Sequence, residues 1–152
     1  MDLIMGLPEE DIDDVRHTME VLKELDPDNI TIHSLAIKRA ARLNIFKDRY
    51  ESMQMVNTQE HMDLCADYCA QMGLSPYYLY RQKGMAGNME NVGYAKPGKA
   101  GVYNVLIMEE RQTIIACGAG ASTKKVCPGG AIERCENVKD VAQYIARIDE
   151  MI

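Results

Sequence analysis

The sequence has no run approaching the ~18 consecutive apolar residues that a membrane-spanning helix needs. It also has no basic leader, since MDLIMGLPEEDIDD turns acidic at once. Neither a membrane span nor a secretory signal peptide is expected, and the expected compartment is the cytoplasm. Positive charge is scarce: 17 Lys and Arg stand against 23 Asp and Glu, for a net charge of -6. That balance argues against nucleic-acid binding, which relies on clustered cations. Lys38 with Arg39 and Lys124 with Lys125 are the local exceptions. Tryptophan is absent and phenylalanine occurs once, so the aromatic content rests on eight tyrosines. Five cysteines, an odd number at irregular spacing (Cys65, Cys69, Cys117, Cys127, Cys135), exclude the paired framework of a secreted disulfide scaffold and read as reduced thiols. There are no internal repeats and no low-complexity segments.

What is present is enough apolar residue, 47% of 152, for one ordinary soluble domain. Leu3-Ile4-Met5 reads as a short buried strand closed by Gly6-Leu7-Pro8. Pro8 and the acidic run Glu9, Glu10, Asp11 suit a helix start. Ile12, Val15, Met19, Leu22 and Leu25 recur at three- and four-residue spacing, predicting an amphipathic helix that Asp26-Pro27-Asp28 stops. Ile30 to Leu35 reads as a second strand, giving a parallel βαβ unit. A chain that starts inside a strand reads as a domain entered part-way through.

Residues 36–55 read as helical. Asn57 or Thr58 is expected to cap a helix that runs to about Met72 and ends at Gly73. Tyr77 to Arg81 reads as a strand, and the glycine-rich stretch Gln82 to Gly101 as a long binding loop. Tyr103 to Met108 and Thr113 to Cys117 read as a hairpin across Glu109 to Gln112. Ala131 to Arg134 reads as one more strand. Asn137 is expected to cap a last helix with Val138, Val141, Ile145, Ile148 and Met151 as its buried side.

Few groupings carry chemistry. Cys65, Cys69 and Met72 have the CxxxCxxC spacing with Met in the third place. They fall on a predicted amphipathic helix, and a thioether is a poor cluster ligand, so they read as core. Cys127 and Cys135 have no neighbouring His, which excludes a zinc site. His17, His33 and His61 are dispersed, and His33 on its strand reads as structural. Gly118-Ala119-Gly120-Ala121 matches neither GxGxxG nor a P-loop, and a tight turn explains it as well as a ligand does. Tyr77, Tyr78 and Tyr80 with Arg81 either line a pocket for a flat aromatic or polycarboxylate ligand or are alternating strand residues.

Taken in order, these segments resemble one family. DLIMGLP at Asp2–Pro8 and PDNITIHSLAIKR at Pro27–Arg39 are similar to late barrel strands of oxygen-independent coproporphyrinogen III oxidases, which are radical-SAM enzymes. YYLYRQKGMAGNMENVGYAKPG at Tyr77–Gly98 and IIACGAGAS at Ile114–Ser122 resemble the C-terminal part of that family. The resemblance implies an α/β chain, α+β overall: the last βα units of a partial (β/α) radical-SAM barrel in residues 1–55, then a smaller C-terminal α+β region in residues 56–152.

The family's reaction is oxidative decarboxylation of coproporphyrinogen III to protoporphyrinogen IX in haem biosynthesis, using S-adenosylmethionine and a [4Fe–4S] cluster. By position, the resemblance implies that Asp2, Ala36 and the turn Gly118, Gly120, Ser122 contact S-adenosylmethionine, and that Tyr78, Tyr80 and Arg81 face the substrate. The cluster motif is missing from this chain. No catalytic residue and no metal ligand is therefore assigned, and neither cofactor is expected to bind stably to the chain alone. A tetrapyrrole is the implied small-molecule partner, with an N-terminal half or a second copy as the implied protein partner. Two alternatives remain: a non-catalytic module that binds a tetrapyrrole or S-adenosylmethionine, and a subunit that completes a split barrel.

Overall fold

Along β1 (Asp2–Met5) the side chains alternate strictly, Leu3 and Met5 buried, Asp2 and Ile4 exposed, as a strand with one packed face must. The computed structural model describes residues 1–37, 45, 48, 53–81, 87 and 89–150. Helix α1 (Ile12–Leu25) follows β1. Its N-cap is Asp11, whose Oδ1 accepts from the backbone N–H groups of Asp13 and Asp14, while Asp14 Oδ2 accepts from the Asp11 N–H. The acidic run thus lies ahead of the helix, with Glu9 in the left-handed region at φ 64. Val15, Met19 and Leu22 are buried as expected, whereas Leu25, the last residue of the helix, is exposed.

Strand β2 (Asn29–Ser34) pairs parallel with β1, Asp2 opposite Thr31 and Ile4 opposite His33. This is the expected βαβ unit. Of the helix expected over 36–55, residues 36, 37 and 53–55 are not helical, and most of the remainder lies outside the described residues. Helix α2 (Gln59–Gln71) starts after Thr58 and stops before Gly73, which takes φ 71, the left-handed conformation that favours glycine there. Strand β3 (Ser75–Tyr80) follows.

The expected long loop over 82–101 is overturned at its centre. Asn91–Ala95 is β4, and it lies between β2 and β3 in a four-stranded sheet of order β1-β2-β4-β3. Both of its pairings are antiparallel, so the sheet is mixed. One extra residue, Tyr77, interrupts the β3–β4 register between Pro76 and Tyr78, a β-bulge.

Chain contacts group the molecule into two units, 1–101 and 102–150 of the described residues. The first unit has its core on one side of the sheet. Leu3, Met5, Ile30, Ile32 and Tyr94 pack with Val15, Met19 and Leu22 of α1 and with Met62, Cys65 and Cys69 of α2. Lys23 Nζ donates to Gln71 Oε1 at 2.7 Å and Tyr68 Oη to Glu20 Oε1 at 3.3 Å, tying α1 to α2 along their exposed rims. At about 25 cal/mol per Å² of apolar area removed from water, burial of such side chains is the main favourable contribution to this unit.

The second unit departs further from expectation. Val102–Met108 is a helix, α3, not a strand. In 113–117 only Ile114 pairs, through an isolated bridge to Lys124. The hairpin is instead β5 (Ser122–Val126) with β6 (Ile132–Glu136). The last helix, α4, is short (Val141–Ala146) and capped by Asp140 rather than Asn137, with Val141 and Ile145 exposed. Among its described residues only Asn137 is buried. Lys124 and Lys125 form no free basic patch, being paired with Glu110 at 2.8 Å and Glu133 at 3.1 Å. Lys38 and Arg39 lie outside the described residues.

Candidate functional site

A strand presents alternate residues to opposite sides, so the residues between the core positions share the sheet face away from α1 and α2. On β1 and β2 these are Asp2, Ile4, Thr31 and His33, and through the register Gly93 on β4 and Tyr78 on β3. The face is polar and aromatic. His33 Nε2 lies 3.2 Å from Asp2 Oδ1. The Asp2 side chain is 74% exposed and that of His33 29%. Ile4 is the aliphatic exception, 43% exposed.

The tyrosines cover the other end of the same face. The Tyr78 ring lies directly over Gly93, with an edge of Tyr77 beside it. Tyr77 and Tyr78 meet edge to face at 4.8 Å, and Tyr78 stacks on Tyr80 at 6.5 Å. Asn29 Nδ2 donates to Tyr77 Oη at 3.2 Å. Burial pushes the Tyr78 phenol up, the Thr31 side chain that hydrogen-bonds to it pulls down, and the neighbouring Tyr77, Tyr80 and Asp2 push up again. Tyr78 therefore stays protonated at physiological pH. Asp2, Thr31, His33 and Tyr78 form one contiguous set.

The remaining expected residues stand as follows. Arg81 lies just past the end of β3, and its Nη2 pairs with Glu90 Oε1 at 3.0 Å. Ala36 is half-buried two residues beyond β2. The β2 end that leads to it is pinned by Ser34, whose N–H donates to Asn91 Oδ1 at 2.8 Å and whose hydroxyl accepts from Asn57 Nδ2 at 2.9 Å.

Gly118, Gly120 and Ser122 belong to the second unit, where Gly118 and Gly120 have φ 113 and 72. There Gly118 N–H donates to Tyr144 Oη at 2.9 Å, and Asn137 Nδ2 donates to the carbonyls of Gly118 at 3.0 Å and Ala116 at 3.2 Å. Gly120 N–H donates to Val138 O, and the Ser122 hydroxyl donates to Glu136 Oε1. Several of the turn's polar groups are thus engaged within their own unit.

Cys65 and Cys69 are fully buried on α2. Burial pushes both thiols up to about 12, with each other's charge a second cause for Cys69. Cys65 Sγ lies 3.7 Å from Met5 Sδ. Among the described residues no three His, Cys, Asp or Glu side chains are grouped to hold a metal ion. The cysteines therefore do not fit a [4Fe–4S] cluster, which needs accessible thiolates. A hollow of about 370 Å³ opens elsewhere, between the starts of α1 and α2, and involves none of these residues. No helix among the described residues is long and apolar enough to cross a membrane.

Sequence reasoning missed His33, Thr31 and Gly93 as members of this set. The signal was present in the alternation of Asp2 and Ile4 with Leu3 and Met5, and of Thr31 and His33 with Ile30 and Ile32, but only the register brings the two series together.

The segments that resemble oxygen-independent coproporphyrinogen III oxidases run in order along this mixed α+β chain. Comparison with known proteins bears that resemblance out. The chain is 40% identical over 150 residues, 98% of its length, to the oxygen-independent coproporphyrinogen-III oxidase-like protein HemZ of Bacillus subtilis (strain 168). It spans 30% of the length of that relative. No family model matches the chain, and no solved structure matches it.

Proposed function

We propose that the chain is the C-terminal part of an oxygen-independent coproporphyrinogen III oxidase-like radical-SAM protein, and that alone it is catalytically inactive. In this reading residues 1–55 are the end of a partial (β/α) barrel and residues 56–152 the C-terminal region of the family. The observation that carries it is the one-sided sheet: helices cover one face of β1 and β2, and the opposite face, with Asp2 and His33, is where a barrel keeps its lumen. In the intact protein S-adenosylmethionine with a [4Fe–4S] cluster would supply radical chemistry, the cluster being held by residues other than Cys65 and Cys69. The part played by this chain is to hold the ligands. Within the first unit, Asp2 and Ala36 are the proposed contacts of S-adenosylmethionine, and Tyr78, Tyr80 and Arg81 those of the substrate.

Anaerobic iron–sulfur reconstitution tests the reading, with iron counting and the absorbance near ~400 nm typical of [4Fe–4S] proteins. The expected result is no stable cluster and no decarboxylation of coproporphyrinogen III. A stoichiometric cluster, lost when Cys65 and Cys69 are replaced, overturns it.

A second reading rests on the stacked Tyr78 and Tyr80 rings: a non-catalytic module that binds a flat tetrapyrrole. Porphyrin absorbance retained through purification, and lost in Tyr78→Ala, supports it.

A further inference from the structure

We propose that Asn29 is a positioning residue for the tyrosine surface, acting through Tyr77. The inference rests on the readings above in which Tyr78 and Tyr80 meet a tetrapyrrole. Asn29 stands two residues before Thr31 on β2 and opposite Ala95 of β4, so it shares the open face with Thr31 and His33. Ala95, small and buried, lies between it and β3, which runs two strands and roughly 9–10 Å away. The side-chain amide of Asn29 carries two hydrogens and donates to two acceptors, Tyr77 Oη at 3.2 Å and Lys99 O at 3.3 Å. The Lys99 end is anchored in turn. Lys99 N–H donates to Lys96 O at 2.9 Å, Lys96 N–H donates to Asp28 O at 3.0 Å, and Lys96 Nζ pairs with Asp26 Oδ2 at 2.9 Å.

A bulge re-aims side chains, and at this one the rings of both Tyr77 and Tyr78 come to Gly93. Tyr78 rests on a residue that offers no Cβ to hold its ring sideways. Tyr77 supplies that hold, meeting Tyr78 edge to face at 4.8 Å and 61°, while Tyr80 lies nearly parallel to Tyr78 at 9°. Asn29 thus fixes the hydroxyl end of Tyr77, and the ring of Tyr77 fixes Tyr78. A ring already held in place loses less freedom when a flat ligand stacks on it.

Titration of the chain with coproporphyrin III, the flat oxidised form of the substrate, tests this. Binding is read from the porphyrin absorbance and from quenching of tyrosine emission, which no tryptophan obscures. The variants are Asn29→Ala, Tyr77→Phe, the two combined, and Tyr78→Ala, each measured well below its own melting temperature. Tyr78→Ala is expected to weaken binding more than about tenfold, and Asn29→Ala and Tyr77→Phe about fivefold each. The double variant is expected to be no weaker than either single one, because both remove the same bond. The ring-current shifts that Tyr77 and Tyr78 impose on each other in the NMR spectrum are expected to change in Asn29→Ala, which a loss of stability alone would not cause.

Wild-type affinity in Asn29→Ala, with weak binding in Tyr78→Ala, overturns the positioning role and leaves the reading of the tyrosine face intact. Wild-type affinity in Tyr78→Ala, or no wild-type binding at all, overturns that reading and the positioning role with it. Losses that multiply in the double variant, ring shifts unchanged in Asn29→Ala, or Tyr77→Phe as tight as the wild type overturn the Asn29–Tyr77 bond as its basis. Should Asn29→Ala fail to fold, Tyr77→Phe removes the same bond and decides.

Discussion

The ring of Tyr78 occupies the space above Gly93 that a side chain on the neighbouring strand would need. The two residues face each other across β3 and β4, and the absence of a Cβ on one lets the aromatic ring of the other lie flat against the sheet. Gly93→Ala places a methyl against that ring and the edge of Tyr77, and overpacking of this kind costs about 1–3 kcal/mol. Urea denaturation is expected to show a lower midpoint with an unchanged slope. In a Tyr78→Ala background the same substitution is expected to cost clearly less, because the two residues are in contact.

The buried thiols make a chemical prediction. Only the thiolate is nucleophilic, and burial holds Cys65 and Cys69 near about 12, so both remain protonated at pH 7 to 8. Native-state alkylation followed by peptide mass spectrometry is expected to label the exposed Cys117 and Cys135 quickly and the α2 pair only on unfolding.

The same groups set an alkaline limit to stability. Each thiol ionises near 9 when free and near 12 when folded, and the Tyr94 phenol moves from 10 to about 12, chiefly by burial. Between these values the unfolded chain has lost protons that the folded chain keeps. Stability therefore falls as pH rises; it is fully present below about 9 and lost as pH approaches about 12. A denaturation series from pH 8 to 11 is expected to show this decline, and Cys65→Ala with Cys69→Ala to flatten it at the cost of a lower plateau.

In the second unit Asn137 takes the place of a core. Among the unit's described residues it alone is buried, and its Nδ2 donates to the carbonyls of Ala116 and Gly118. Asn137→Ala leaves both acceptors without that donor and is expected to cost about 1–2 kcal/mol. Hydrogen exchange at Gly118 and Gly120 reports the loss most directly, since these amides tie the turn to Tyr144 Oη and Val138 O.

Replacing Asp11 by Ala removes the acceptor for two amides at the start of α1 and is expected to cost about 1 kcal/mol, read as a lower thermal midpoint.

The βαβ start was legible because three signals agreed there: apolar spacing along α1, an acidic cap, and strand runs of one parity. Helix α2 was legible from Thr58 and Gly73 for the same reason. Strand β4 was not, since Asn91-Val92-Gly93-Tyr94-Ala95 sits in glycine-rich company, and Gly93 is there to admit a ring from the adjacent strand, a tertiary cause that composition does not carry. Val102–Met108 is a short run, apolar but for Asn104, which periodicity alone cannot assign to helix or strand. Of the candidate site, the tyrosines were singled out by their clustering with Arg81, and Asp2 by the resemblance to the family. The Asp2–His33 pair needed the strand register, because its members are 31 positions apart.

The extra residue in β3 decides what kind of surface the open face is. With Tyr77 accommodated out of register, Tyr78 and Tyr80 stand opposite Gly93 and Asn91. Were the strand to pair straight through from Pro76 opposite Tyr94, Tyr77 and Leu79 would take those places and the other two phenols would turn toward the helices, since a one-residue slip exchanges the two sides of a strand. A single-residue deletion near position 77 is thus enough to replace the Tyr78–Tyr80 stack on this face while leaving the other strands' pairing as it is.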